Sequence, residues 1–173
     1  MLEVGNPVQR LRSLLLFAFS VGLLGCDHAT KLVAQRELGA GRVVSVVPKV
    51  LELRYARNDD VAFSALAHWE IPHKASLLLG VSFLVLAVTL FIWVRHRLNA
   101  RGTGFSLADF GFAFVLAGAF GNVLDRLARG YVIDFIHLSH WPIFNVADAC
   151  IVVGLIALGL SRSKIRASPA TLA

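Results

Sequence analysis

Four long apolar runs constrain the fold of this chain more than any other feature of its sequence. They span roughly residues 11–26, 75–94, 107–124 and 144–160. Each is close to the length of about 17 to 25 residues that an α-helix needs to cross a bilayer, although the first and last are short. Only 16% of the 173 residues are charged, whereas soluble domains are nearer a quarter charged. We therefore predict a mainly α-helical, polytopic membrane protein with four transmembrane helices in a single domain. A soluble bundle of very apolar helices is the disfavoured alternative.

The formal net charge of +6 is explained by where the basic residues lie. Short basic segments border the apolar runs on one side of a four-span chain: Arg10 and Arg12, Arg95 to Arg101, and Arg162 to Arg166. An excess of Lys and Arg beside helix ends is typical of cytoplasmic segments, so both termini are expected in the cytoplasm. Because topology accounts for the basic residues, nucleic-acid binding is not expected.

The segment between the first two apolar runs, about residues 34–72, is expected on the outer side of the membrane. The β-branched stretch Arg42–Val47 and the alternating stretch Val50–Ala56 predict two strands joined by a turn at Pro48-Lys49. A short amphipathic helix is expected to follow and to lie on the membrane, with Trp69 as an interfacial anchor.

Cys26 and Cys150 both fall inside predicted spans. Their spacing fits neither a disulfide framework nor a zinc site, so both are expected to pack as small apolar residues. The sequence LLGC, residues 23–26, also resembles a bacterial lipobox, in which the first span would be a cleaved signal segment. Three further spans follow it, and this alternative is disfavoured.

Two acidic residues lie near the outer membrane surface. Asp134 stands in the loop between the third and fourth spans, and Asp148 lies a few residues into the fourth. A carboxylate inside a membrane costs about 2.5 to 3.5 kcal/mol on insertion scales and usually marks function. Antiparallel spans joined by a loop of this length can bring the two acids together. Such a pair tends to share one proton, so one member can activate a water while the other hydrogen-bonds a carbonyl.

Other polar residues stand at the same depth and could support such a pair. Asn122, Asp125 and Arg126 follow helical spacing at the outer end of the third span, and Arg126 offers five donors for a carbonyl. Asn145 lies three residues before Asp148. Two more residues, Asp27 and Lys31, could pair at the outer end of the first span. Each also has a structural interpretation, as a helix-end ion pair or as an interhelical hydrogen bond.

Five stretches, in order along the chain, carry a resemblance to one known family: DHATK (27–31), RNDDVAF (57–63), GNVLDR (121–126), VIDF (132–135) and FNVADA (144–149). The chain resembles lipoprotein signal peptidase, also called signal peptidase II, over nearly its whole length. The resemblance implies an intramembrane aspartic endopeptidase with no cofactor and no metal. Its substrates would be diacylglyceryl-modified prolipoproteins, cleaved just before the lipidated cysteine.

The resemblance also implies roles for particular residues. The family's catalytic pair falls on Asp134 and Asp148. Active-site support and other characteristic positions fall on six further residues: Asn122, Arg126, Asn145, Asp27, Lys31 and Asn58. The family implies a site at the outer face of the bacterial cytoplasmic (inner) membrane, contact with membrane lipids, inhibition by globomycin, and a sheet and short helix that form a cradle and lid for substrate. A monomer could hold the whole site.

One stretch departs from the family pattern. Asp60 stands where the family usually has glycine, and Val61 where it has a small residue. Glycine permits a positive φ or a close backbone approach that Asp tolerates less well. The shape of the lid and the substrate preference are therefore open.

Two rival functions are compatible with parts of the sequence. Asp134, His137 and His140, with Asp148, could form the ligand set of a metalloprotease, although no HExxH signature occurs. A transporter or proton relay would place its acids near the midplane and show paired repeats. Here the acids cluster at one membrane edge and no repeat is visible.

Overall fold

Helices joined to a small sheet make up the chain, which we describe from a computed structural model over residues 7–59, 74–99 and 104–166. Within those ranges the elements follow in the order α1 (Pro7–Leu38), β1 (Val43–Val47), β2 (Leu51–Asn58), α2 (Lys74–Asn99), α3 (Leu107–Arg129), β3 (Val132–Leu138) and α4 (Val146–Arg166). The predicted mainly helical membrane fold with a small sheet is confirmed. The expected amphipathic helix, with Trp69, and the departures at Asp60 and Val61 lie outside the described residues.

Among the described helices, α1, α2 and α3 are long and apolar enough to cross a membrane, and α4 carries a shorter apolar stretch, Val146–Ser161. The structure extends α1 well past the predicted end of its apolar run at residue 26. The helix can continue because the charged side chains that follow, Asp27 and Lys31, are buried and paired with each other at 2.7 Å.

Helix α3 is the centre of the bundle, and α1, α2 and α4 all pack against it. Its contact with α4 depends on small residues, which let helix backbones approach closely. A Cβ atom at Gly118 would lie only 2.3 Å from the carbonyl oxygen of Ala147, and one at Gly154 only 2.7 Å from that of Gly111. This close approach sets the distance between the polar ends of α3 and α4.

The sheet has the order β1-β2-β3 with antiparallel pairing. The predicted pair of strands is present, and the turn between them contains Lys49 with a φ of 62°. The segment Val132–Leu138 was predicted to be part of a loop, and that prediction is wrong because it forms β3. Its partner, β2, is more than seventy residues away in sequence, so local sequence did not reveal the pairing.

The starts of α1 and α3 and the end of α2 meet at one end of the bundle. Asp109 is fully buried there and binds the guanidinium groups of Arg12 and Arg97. It also closes a capping box with Ser106 at the start of α3. The sequence indicates Arg12 only as a topology signal, yet the structure shows it as a buried ion-pair partner. The sheet and the first turn of α4 lie at the opposite end.

Candidate active site

The turn between β3 and α4 brings Asp134 and Asn145 together. Phe144 pairs with Ile136 in an isolated antiparallel bridge, with backbone hydrogen bonds of 2.8 and 3.0 Å between them. The chain therefore folds back on β3, and Asn145 comes to lie beside Asp134. The Asn145 side chain donates from Nδ2 to Asp134 Oδ1 at 2.6 Å.

Asn145 also binds the second acid. The backbone N–H of Asn145 donates to Asp148 Oδ2 at 3.2 Å, and the N–H of Asp148 donates to Asn145 Oδ1 at 2.9 Å. This reciprocal arrangement is a capping box, which satisfies backbone donors at the start of a helix. One asparagine thus contacts both carboxylates, and α4 begins at Val146 rather than at the predicted residue 144 because Asn145 is its cap.

Asn122 on α3 approaches Asp148 from the facing helix. Its Nδ2 donates to Asp148 Oδ1 at 2.8 Å, while its Oδ1 accepts from Lys31 Nζ at 3.1 Å and from Asn145 Nδ2 at 3.2 Å. The two acceptor contacts fix which end of the amide faces the carboxylate, because an ammonium group has no lone pair to accept with. Lys31 therefore orients the donor that Asp148 receives.

Lys31 is fully buried and uses its ammonium group on three partners. Besides Asn122, these are Asp27 Oδ2 at 2.7 Å and Asp125 Oδ2 at 3.0 Å. Three donors meeting three acceptors satisfy the group completely. An unpaired charge in this position would be costly, so the arrangement is stable only as a unit.

The two acids beside Lys31 also hold backbone groups. Asp27 Oδ1 accepts from the N–H of Ala147 in the first turn of α4 at 2.8 Å. Asp125 Oδ2 accepts from the N–H of Ile133 in β3 at 3.3 Å, and its other oxygen binds Arg129. These contacts tie α1, α3, β3 and α4 together behind the two central carboxylates.

Asn58, the last residue of β2, lies against Asp134. Ala56 is the register partner of Asp134, so Asn58 is its diagonal neighbour on the same face. Its Nδ2 donates to Asp134 Oδ2 at 2.8 Å. Asp134 is only 2% exposed. Burial, followed by the nearby negative charge of Asp148, raises the pKa of Asp134 to about 7.

A cleft of about 280 Å³ leads from the apolar flank of the bundle to this polar cluster. Asn58, Asn122, Arg126 and Asp148 form its polar end. Most of the remaining lining is apolar, including five side chains of α2, α3 and α4: Val81, Val85, Ala119, Ile151 and Val152. The Arg126 guanidinium interacts electrostatically with the carboxylates of Asp148, Asp134 and Asp125. The cleft can therefore accept a ligand that is apolar along most of its length and polar at one end.

The histidines of the metalloprotease alternative point elsewhere. His137 lies on β3, three residues after Asp134, so the two side chains emerge on opposite faces of the strand. His137 Nδ1 is 3.6 Å from Glu52 Oε2, and His140 contacts Ser139 at the surface. Within residues 7–59, 74–99 and 104–166, no cluster of three or more His, Cys, Asp or Glu side chains could hold a metal ion.

The structure brings all nine candidate residues from the sequence into this one region: Asp134, Asp148, Asn122, Arg126, Asn145, Asn58, Asp27, Lys31 and Asp125. Sequence reasoning missed Arg129, although its spacing of four from Asp125 on a helix could have indicated the pair. It also missed the backbone donors of Ile133 and Ala147, which no sequence signal reveals.

Curated relatives and solved structures resemble this chain over most of its length. A protein named lipoprotein signal peptidase from Chlorobaculum tepidum is 36% identical over 164 residues, which cover 87% of this chain and 93% of the relative. One of the same name from Pelotomaculum thermopropionicum is 35% identical over 143 residues, covering 83% and 88%. A bacterial membrane enzyme solved by the in meso method shares the fold, with a TM-score of 0.75, 21% identity and coverage of 91% and 93%.

The family model described as signal peptidase (SPase) II matches residues 19–163. That range contains every residue of the polar cluster. The chain belongs to the signal peptidase II family of membrane peptidases.

Proposed function

We propose that this protein removes the signal peptide from diacylglyceryl-modified prolipoproteins by cleaving before the lipidated cysteine, with Asp134 and Asp148 as its catalytic pair. The observation that supports this best is the position of Asn145, which binds one oxygen of each acid. Two carboxylates that share a neighbour and a charge interaction titrate as a pair and tend to hold one proton between them.

The surroundings favour a division of labour within the pair. Asp134 is buried and has its pKa raised to about 7, so it suits the role of the acid. Asp148 lies in the first turn of α4, where the helix dipole favours a negative charge, and it accepts donors from Asn122 and from the Asn145 backbone. Asp148 therefore suits the role of the base.

The reaction needs no group beyond these carboxylates and a water. Asp148 takes a proton from the water while the water oxygen adds to the scissile carbonyl carbon, and Asp134 gives its proton to the carbonyl oxygen. The tetrahedral intermediate then collapses as its hydroxyl returns a proton to Asp134. The leaving amine takes the proton held by Asp148, which restores both acids. Arg126, at the polar end of the cleft, can donate to a substrate carbonyl.

The cleft suits a lipidated peptide. Its apolar flank can receive apolar side chains or the acyl chains, while its polar end holds the scissile bond near the acids. The sheet would support the peptide from the outer side. We place this end at the outer face of a bacterial inner membrane, with both termini cytoplasmic, because Arg12 and Arg97 lie at the opposite end. The enzyme would act as a single membrane domain and as a monomer.

The test is cleavage of a synthetic diacylglyceryl-cysteine lipopeptide by purified protein in detergent. Asp134→Asn and Asp148→Asn should each lower kcat by at least about 100-fold, the lower end of the usual contribution of acid–base catalysis. Glu37→Gln, which neutralises an exposed carboxylate on α1, should leave kcat unchanged. Globomycin should inhibit the unmodified enzyme. If folded Asp134→Asn or folded Asp148→Asn cleaved the lipopeptide at near the original rate, the assignment of the catalytic pair would be wrong.

A further inference from the structure

A basic cleft opens at the end of the bundle opposite Asp134 and Asp148. Gln9, Arg10, Ser13, Leu14 and Arg97 line it, and its volume is about 630 Å³. Arg97 Nη2 donates to Ser13 Oγ at 3.2 Å, which holds the end of α2 against α1. Ser13 Oγ in turn donates to the backbone carbonyl of Gln9 at 3.0 Å, so the guanidinium groups of Arg10 and Arg97 are the donors that this cleft offers a phosphate.

Among the described side chains around this cleft, positive charge exceeds negative charge. Asp109 lies beneath it, fully buried, and is bound by Arg12, Arg97 and Ser106. With Arg10 at the rim, these side chains carry three positive charges and one negative charge. The buried acid therefore anchors the arginines without neutralising the cleft.

An apolar groove continues from the cleft toward the membrane interior. It has a volume of about 460 Å³ and runs between α1, α2 and α3, with Phe17, Val21, Leu90, Trp93 and Phe120 among its walls. Ser13 lines both the cleft and the groove, so the two adjoin at this residue. Several of the wall residues are exposed along the flank of the bundle, including Phe17 and Leu90.

We propose that the cleft and groove bind one anionic phospholipid from the leaflet opposite the dyad. Its phosphate would lie against Arg10 and Arg97, and one acyl chain would fill the groove beside Trp93. Basic pockets between membrane helices are the usual sites for anionic head groups. A zwitterionic lipid brings its own cation and gains less from two excess positive charges. The site is separate from the peptidase cleft and does not depend on its chemistry.

Trp93 provides a direct readout, because it lines the groove. The chain has three tryptophans, and replacing Trp69 and Trp141 with Phe leaves Trp93 as the single reporter. The protein is reconstituted in phosphatidylcholine vesicles that contain either phosphatidylglycerol or phosphatidylcholine with brominated acyl chains. Brominated phosphatidylglycerol should quench Trp93 at a several-fold lower mole fraction than brominated phosphatidylcholine.

Two variants and a control assign the preference to the cleft. Arg10→Gln and Arg97→Gln should each reduce the preference for brominated phosphatidylglycerol by about five-fold, which is the contribution expected of one arginine near an anionic surface. Arg95→Gln removes an equal charge from the same end of α2, where the Arg95 guanidinium lies over the Phe91 ring outside the cleft lining. This control should retain the preference. Arg10 lies at the exposed start of α1, so its variant tests the proposal even if Arg97→Gln unfolds.

Three outcomes would overturn the proposal. Equal quenching by the two brominated lipids would make the groove an ordinary lipid-facing surface. Equal loss of preference in Arg95→Gln would make the effect one of general surface charge. An unchanged preference in folded Arg10→Gln and Arg97→Gln would show that the cleft does not select the anionic lipid.

Discussion

The side-chain amide of Asn145 donates to Asp134 at 2.6 Å. The same residue caps α4 and exchanges two hydrogen bonds with Asp148. One residue therefore both caps the helix and, through its side chain and its backbone N–H, binds the two acids. The separation of the acids is fixed by the start of a helix, which is a more rigid support than a loop.

Variants of Asn145 should separate these two roles. Asn145→Ser keeps an oxygen that can cap α4 but loses the amide donor to Asp134, so the protein should fold with little loss of stability while kcat falls at least tenfold. Asn145→Ala loses the cap as well, which should cost about 1 kcal/mol more of the free energy of unfolding. Thermal unfolding and lipopeptide cleavage measure the two effects. Undiminished kcat in Asn145→Ser would contradict the proposed alignment.

The buried ammonium group of Lys31 should be essential to stability. Lys31→Met leaves the carboxylates of Asp27 and Asp125 buried without their shared cation. Removing one partner of a buried ion pair typically costs about 3 to 5 kcal/mol. The unfolding temperature of Lys31→Met in detergent should fall clearly, whereas Lys49→Met, in the exposed turn after β1, should leave it nearly unchanged.

A second substitution tests the electrostatic explanation for Lys31. Asp27→Asn combined with Lys31→Met removes one of the stranded charges, so the double variant should recover part of the lost stability. A double variant no more stable than Lys31→Met alone would show that packing, not charge, determines the loss.

The sequence predicted the helices because bilayer length and apolar composition leave few alternatives. The pattern of spans also predicts that the two acids lie at one membrane edge. The sequence could not reveal the hydrogen bonds within the cluster. The pairing of Phe144 with Ile136 and of β2 with β3 depends on contacts between distant segments. Arg12 illustrates the same limit, since its buried partner, Asp109, is 97 residues away.

Stability should depend on pH through Asp134. Its pKa is about 7 in the folded protein against an ordinary value of 3.8. Between about pH 4 and pH 7 the folded state therefore holds a proton that the unfolded state has lost. The free energy of unfolding should fall as the pH rises through this window, by at most about 1.4 kcal/mol per pH unit from this group, and level off above it.

The comparison with Asp134→Asn isolates that contribution. The unfolding temperatures of the unmodified protein and of Asp134→Asn, measured from pH 4.5 to pH 8, should converge toward low pH and diverge toward neutral pH. The variant should be relatively more stable at pH 7. Glu37→Gln should keep the pH dependence of the unmodified protein. Parallel curves for the unmodified protein and Asp134→Asn would mean that Asp134 does not hold a proton in this range.

The close contact of α3 with α4 should limit the residue that can occupy position 118. A Cβ atom at Gly118 would lie 2.3 Å from the Ala147 carbonyl oxygen and 2.9 Å from Ile151 Cγ1. Gly118→Ala should therefore push apart the helices that carry Asn122 and Asp148. Overpacking of this kind costs about 1 to 3 kcal/mol.

Activity should fall more than stability in Gly118→Ala, since the hydrogen bond from Asn122 to Asp148 is 2.8 Å and tolerates little displacement. Gly159→Ala is the matched control on α4, because a Cβ atom there meets nothing within 4 Å. Because alanine has a greater helix propensity than glycine, the free energy of unfolding of Gly159→Ala should be equal or higher by up to about 1 kcal/mol, with kcat unchanged. Equal effects of the two substitutions, measured by thermal unfolding and lipopeptide cleavage, would show that α3 and α4 do not need their close contact at Gly118 to hold the two acids in place.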